Sequence, residues 1–340
     1  MLTEPELMRE AAETGFQKEP LEKVIRLTEL LESLRSHPFL KPRIALKGGT
    51  ALNLFVFDVP RLSVDIDVNY IGAADRGGTL EDRPKIEQAV QAVCGRLGLQ
   101  VRRIPPDHAG GKWRLSYQTA AGRPGGLELD VNFLLRTPLW PHAVLDSRPV
   151  GSFSAKQIPV LDVHELAAGK LAALFSRNAS RDLFDVHLIL QREDLDRSRL
   201  RLGFVVYGGI NRRDWREVEL DDVTADPREV DQQLVPMLRG DIAPDRRELD
   251  EWTRNLVVEC RDMLSVVLPI TSPERAFLDH LNDRGEIVPE LLTNDADRQV
   301  IIRSHPGLLW KALNVREHRG LEGGHGGSKT DGNGVVSERS

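Results

Sequence analysis

The stretch that decides the fold is Ile44-Ala45-Leu46-Lys47-Gly48-Gly49-Thr50-Ala51-Leu52, continued by Arg61-Leu62-Ser63-Val64-Asp65-Ile66-Asp67-Val68-Asn69. Ile44 to Leu46 is a short apolar run of strand type. The Gly-Gly pair makes a turn, and Ala51, Leu52, Leu54 and Phe55 read as a helix that the turn opens. Helix N-termini expose unpaired N–H groups and partial positive charge, so they favour phosphate. Glycine lets the backbone approach its oxygens closely. A second strand, roughly 63–71, carries Asp65 and Asp67. Residues at i and i+2 of a strand share a face. Two convergent carboxylates are hard oxygen ligands of the kind that hold Mg²⁺ against substrate phosphates. Taken alone, a Gly-Gly pair is a turn and an Asp-x-Asp pair a solvated face. Their succession, with the aspartates alternating with apolar residues, is more specific, because such carboxylates are costly unless they bind something.

Composition bounds the rest. A chain of 340 residues can hold one large or two medium domains. Apolar residues make 40% and charged residues 29%, as in an ordinary globular protein. The net charge of −6 argues against wholesale nucleic-acid coating but leaves room for a local basic groove. Cys94 and Cys260 are the only cysteines, so no disulfide framework is implied. The N-terminus lacks the features of a signal peptide, and no apolar run approaches the ~20 residues of a membrane span. These features place the chain in the cytoplasm, away from membranes.

Further along, residues 20–34 form an amphipathic helix that reads as a structural brace. A polar loop is expected over 72–78, a helix over about 84–97 and a strand near 99–104. A Pro/Gly loop holding His108, Gly110 and Gly111 follows, then a strand over 113–119 and a hairpin turn over 120–126. Leu127-Glu128-Leu129-Asp130-Val131-Asn132-Phe133 alternates, with Glu128, Asp130 and Asn132 on one face. By pattern alone that face is either solvated or functional. His142 and His164 stand without partners at ligand spacing and read as structural. Asp162 is placed as the N-cap of a helix through Lys170 to Phe175. Lys170 and Arg177 fall two turns apart on one face. Asp182 and Asp185 share a face of the next helix. Arg192, Arg197, Arg199, Arg201, Arg212, Arg213 and Arg216 read either as solvated ends or as a patch for RNA phosphates. The remainder is helical, with 247–268 amphipathic.

Lys47-Gly48-Gly49-Thr50-Ala51-Leu52, followed by Arg61-Leu62-Ser63-x-Asp65-Ile66-Asp67, resembles the AbiEii/AbiGii-type nucleotidyltransferase toxins. These belong to the DNA polymerase β-like superfamily. A second signature, Lys170-Leu171-x-Ala173-Leu174 and then Arg181-Asp182-Leu183-x-Asp185, matches as well. The resemblance spans roughly residues 20–215. It implies an α/β (α+β) core with a mixed sheet over residues 1–160, followed by a mainly helical domain over 161–318; the Gly/Ser/Asp-rich composition of 319–340, with almost no apolar content, reads as a disordered tail. It implies a toxin of a type IV toxin–antitoxin or abortive-infection system that uses a nucleoside triphosphate. Mycobacterial relatives transfer nucleotides to the 3′ end of tRNA, which makes tRNA the expected acceptor and an antitoxin the expected protein partner.

The resemblance also implies roles. Asp65, Asp67 and Asp130 would hold Mg²⁺ or Mn²⁺, with Asp130 also helping to deprotonate the acceptor hydroxyl and Glu128 as its substitute. Lys47, Gly48, Gly49, Thr50, Ser63, Lys170, Arg177 and Asp185 would surround the nucleotide, with Lys170 on the β/γ-phosphates. Asp182 would be a catalytic or positioning carboxylate, and the choice between it and Asp185 stays open. Ser63 beside the carboxylates would be open to modification, since a phosphate there would repel the nucleotide. Two rival readings of the same site are transfer of AMP or phosphate onto a protein, and a non-catalytic nucleotide-binding toxin.

Overall fold

The computed structural model describes residues 2–104 and 110–320. Two helices, α1 (Glu4–Thr14) and α2 (Lys18–Ser36), precede β1 (Ile44–Lys47). The glycine turn opens a short helix, α3 (Gly48–Ala51), that widens into a π turn over Leu52–Val56. Then come β2 (Asp65–Tyr70), α4 (Arg76–Arg96), β3 (Gln100–Ile104), β4 (Gly110–Gln118), β5 (Pro124–Asn132), β6 (Ala143–Leu145) and β7 (Ile158–Val160). The remaining chain is helical: α5 (Val163–Arg177), α6 (Ser180–Leu190), α7 (Arg197–Ile210), the single turn α8 (Pro227–Glu229), α9 (Leu249–Met263), α10 (Ser272–Asp279), α11 (Ala296–Arg303) and α12 (Pro306–Arg319).

The seven strands form one mixed sheet in the order β3-β4-β5-β2-β1-β7-β6. β2 runs parallel to β5 and antiparallel to β1, and β1 runs parallel to β7. Period-two alternation sorts the faces. Ile66, Val68, Leu127, Leu129 and Val131 are buried. They lie on the face covered by α2 and α4, where α2 contributes Leu21, Val24, Leu27, Leu30, Leu31 and Leu34. The brace helix therefore acts as the main apolar cover of the sheet. Burying each such side chain contributes about 1.5–3 kcal/mol. The other face carries the polar members of the same strands. Over it sit α3 and α5, and behind them Phe175, Phe204 and Trp215 form a close aromatic cluster.

Several local expectations change. The helix expected from 84 begins at Arg76, because the Asp75 side chain accepts from the Gly78 amide at 2.8 Å and caps it early. Pro84 then lies inside the helix on its exposed flank, where water can take the carbonyl bond that it forfeits. Gly110 and Gly111 belong to β4 rather than to a loop, and residues 124–126 to β5 rather than to a turn, since pairing continues to both strand ends. Four of the seven arginines read as solvated ends or a phosphate patch are paired within the fold. Arg192 meets Asp194, Arg201 meets Glu274, Arg213 meets Asp222, and Arg216 meets Asp214, Asp279 and Asp283. His164 is structural: its ring nitrogens engage Asp162 Oδ1 and the Asp196 amide. His108 and residues 321–340 lie outside the described residues; Gly320 caps α12 in a left-handed conformation. No helix among the described residues is long and apolar enough to cross a membrane.

Candidate active site

Strand register builds the floor of the site. Across the β2–β5 pair, Asp65 stands opposite Glu128 and Asp67 opposite Asp130. Across β1–β2, Lys47 stands opposite Asp67. All five point to the face that α2 and α4 leave uncovered. They border a cleft of about 420 Å³ lined by Gly49, Arg61, Ser63, Asp65, Asp67, Lys112, Glu128, Asp130, Lys170, Arg177, Arg181 and Asp182, among others. Lys47 is beside the cleft but does not line it, and burial pushes its ammonium pKa down although Asp67 and Asp130 pull it up.

The carboxylates repel one another. Burial and then the charge of Asp67 raise the pKa of Asp65, and the same two causes raise that of Asp130. Like charges gathered in a half-buried floor call for a cation. Among the described residues no three His, Cys, Asp or Glu side chains close into an all-protein metal cage. Asp67 and Asp130, paired in register, are two carboxylates that could share one Mg²⁺, an ion that takes one or two carboxylates and completes its shell with water and substrate phosphates. The donor set therefore fits a divalent metal that arrives with a polyphosphate.

The glycine turn is fixed by contact with this floor. Gly48 has φ +74°, and a Cβ there would lie 2.7 Å from Asp67 Oδ2. A Cβ on Gly49 would lie 2.8 Å from Ser63 Oγ and 2.9 Å from Arg61 Nη2. Both positions exclude a side chain, and the glycines bring backbone against the carboxylates. Gly48→Ala is expected to lose roughly 1–3 kcal/mol through its left-handed backbone and to displace Asp67. Chemical denaturation checks the first effect, and the second appears as weakened Mg²⁺–nucleotide binding in calorimetry. Thr50 turns inward, donating to the Asp65 carbonyl at 2.5 Å, so its side chain sets the start of β2 and does not line the cleft.

The cationic side comes from α5, α6 and the loop before β2. Lys170 Nζ lies 2.7 Å from Asp182 Oδ1 and 2.7 Å from Asp185 Oδ2. Two of its three N–H donors are thus committed, leaving one for a ligand. Arg177 Nε holds Asp182 Oδ2 at 2.6 Å. Asp185 is fully buried and absent from the cleft wall. It accepts from Arg61 Nε at 2.7 Å, Arg61 Nη2 at 2.5 Å and Asn53 Nδ2 at 3.0 Å, besides Lys170. Burial pushes its pKa up, but Arg61 and then Lys170 outweigh that and hold it at about 2. Direct nucleotide contact by Asp185 is thereby corrected: its oxygens are saturated from within. Of the two helix carboxylates, Asp182 is the one that borders the cleft.

Sequence reading passed over Arg61, Lys112 and Arg181. Arg61 stood four residues before Asp65 inside the quoted motif, and Arg181 immediately before Asp182. Lys112 has no sequence signal, because only the β4–β5 register sets it opposite Asp130. Glu128, the substitute third carboxylate, is held by Lys112 at 2.6 Å and Arg114 at 3.1 Å.

The family model of the nucleotidyl transferase AbiEii toxin of type IV toxin–antitoxin systems matches residues 29–282. Among solved structures, MenT4, a nucleotidyltransferase toxin from Mycobacterium tuberculosis H37Rv, is similar in fold, with a TM-score of 0.58 at 19% identity, covering 91% of this chain and 99% of that chain. No functionally curated protein matches. The matched span contains the whole cleft, from the glycine turn to Asp182, and the chain belongs to the AbiEii family of nucleotidyltransferase toxins of type IV toxin–antitoxin systems.

Proposed function

We propose that the protein transfers a nucleoside monophosphate from a nucleoside triphosphate to an acceptor hydroxyl, with the 3′ end of tRNA as acceptor, and so blocks translation. The observation that carries this is the in-register rank of Asp67 and Asp130 beside the glycine turn, faced by a cationic wall. Asp65, Asp67 and Asp130 would supply the carboxylates for Mg²⁺, or Mn²⁺ in its place, one or two to each ion, with water and substrate phosphates completing its shell. The metal, when bound, neutralises charge on the phosphates and lowers the pKa of the attacking hydroxyl. The backbone of Gly48 and Gly49, the remaining donor of Lys170, and the guanidinium groups of Arg177 and Arg181 orient the triphosphate. Asp130 accepts the acceptor's proton. The acceptor oxygen bonds to the α-phosphorus as the bond to the β-phosphate oxygen breaks, and pyrophosphate leaves against the cationic wall. Asp182 positions Lys170 and Arg177. Residues 1–160 act as the catalytic core and residues 161–318 as the helical part that closes the cleft.

The test is incubation of the protein with each labelled nucleoside triphosphate, total tRNA and Mg²⁺. Label is expected on tRNA 3′ ends, with none after chelation of the metal. Absence of transfer with every nucleotide overturns the reading. Label appearing on protein instead assigns the same cleft to protein modification.

A further inference from the structure

We infer that the outer strands β3 and β4 carry a basic ledge that binds the phosphate backbone of the RNA acceptor as it enters the cleft. The inference rests on the transfer reaction proposed above and adds to it the track along which the acceptor arrives.

Register places the ledge. Arg102 on β3 stands opposite Arg114 on β4, Arg114 opposite Glu128, and Glu128 opposite Asp65. Lys112 stands opposite Asp130 in the same way. Alternation then fixes the face. Trp113 and Leu115 are buried on the covered side, and Arg103 turns to Glu87 of α4 at 2.7 Å. Arg102, Lys112 and Arg114 therefore share the face of the catalytic carboxylates. With strands ~4.8 Å apart, the row from Arg102 to Asp65 spans about 15 Å, the reach of a few nucleotides.

Charge points to a polyanion. Arg102 is exposed and has no ion pair among the described residues. The Arg114 side chain is 64% exposed and that of Lys112 43% exposed, and both meet the single carboxylate of Glu128. Three cations against one acid leave a positive excess, although like charges directly across a strand pair are unfavourable. Holding that arrangement open to solvent is consistent with a site for phosphates. Of the seven arginines between 192 and 216, Arg192, Arg201, Arg213 and Arg216 are taken up by their own aspartates and glutamates, and Arg197, Arg199 and Arg212 do not line the cleft.

Position separates this ledge from the triphosphate site. The glycine turn follows β1, on the far side of Asp67 from β4, and Lys170, Arg177 and Arg181 reach the cleft from α5 and α6 rather than from the outer strands. Asp130, which takes the acceptor's proton, lies on the near side. A chain laid along Arg102, Arg114 and Lys112 delivers its terminal hydroxyl to Asp130 without crossing the nucleotide. An acidic protein surface has no such need to end at the carboxylates, which favours RNA as the occupant.

The test compares wild type with the double variant Arg102→Ala, Arg114→Ala in tRNA filter binding over a series of salt concentrations. Affinity at low salt is expected to fall at least about tenfold, and the slope of log K against log salt to flatten by about 1–2 units, near 0.7–0.9 per lost phosphate contact. In the transfer assay the KM for tRNA rises while the KM for the nucleotide stays put. Arg102→Lys with Arg114→Lys recovers the salt slope. A double alanine variant that binds tRNA with the wild-type slope overturns the ledge. So does a variant that keeps tRNA but loses its antitoxin, which makes the surface a protein dock. Wild type that binds no tRNA at all overturns the tRNA reading itself, a separate failure.

Discussion

Asp185→Ala is expected to lower the free energy of unfolding by about 3–5 kcal/mol, the cost of stranding a buried charge. The substitution leaves Arg61, which is 2% exposed, without the carboxylate that takes two of its hydrogen bonds. It also removes one of the two acids that hold Lys170. Urea denaturation at neutral pH measures the loss, and a change below about 1 kcal/mol would show the pair to be dispensable. The pH dependence has a fixed sign. The folded pKa of about 2 lies below the ordinary value of 3.8, so the stabilisation is complete above that value and disappears as pH falls toward 2. A second variant separates folding from chemistry. Arg61→Met combined with Asp185→Leu replaces the ion pair with apolar volume and is expected to regain most of the stability. It should not regain activity, because Arg61 Nη2 lies against Gly49 in the cleft wall.

The second large effect is on activity, and it runs opposite to stability. Asp65→Asn is expected to reduce nucleotide transfer by at least about 10³-fold, at the upper end of what one preorganised electrostatic group supplies. The same substitution should raise the midpoint of thermal unfolding of the metal-free protein at neutral pH. Burial and Asp67 raise the folded pKa of Asp65 above 3.8, so its carboxylate begins to penalise the fold as pH rises past 3.8 and does so in full above the folded pKa. Asparagine keeps the shape and removes the charge. Wild type should gain stability when Mg²⁺ and nucleotide are added, by linkage, and the variant much less. A variant that transfers at the wild-type rate, or that melts lower without metal, would refute the assignment of Asp65 as a charged ligand held at the expense of stability.

The face of each strand was legible before any coordinates, because period-two alternation leaves one answer for Asp65, Asp67, Glu128 and Asp130. So was the glycine turn, because Gly48 and Gly49 stand between a strand and a helix and are followed by Asp65 and Asp67 on the next strand. What escaped the sequence was pairing. Nothing local says that Lys112 will stand opposite Asp130, or that Arg61 will reach Asp185 across 124 positions. The arginines after residue 190 stayed ambiguous for the same reason: partners such as Glu274 and Asp283 are far along the chain. Pro84 misled locally, as a helix start, where the Asp75 cap decides.

The parallel register of β2 with β5 carries a consequence for biosynthesis. Parallel neighbours require a long crossover, and here Asp67 waits for Asp130 and both wait for Lys170 and Asp182. Synthesis runs from the N-terminus, so a growing chain exposes its glycine turn long before its cationic wall. A ribosome making this toxin carries no finished cleft on the nascent polypeptide until residues through Asp182 have emerged and closed over the sheet. A fragment that stops short of that point lacks Lys170, Arg177 and Asp182 and has only the carboxylate floor of the cleft.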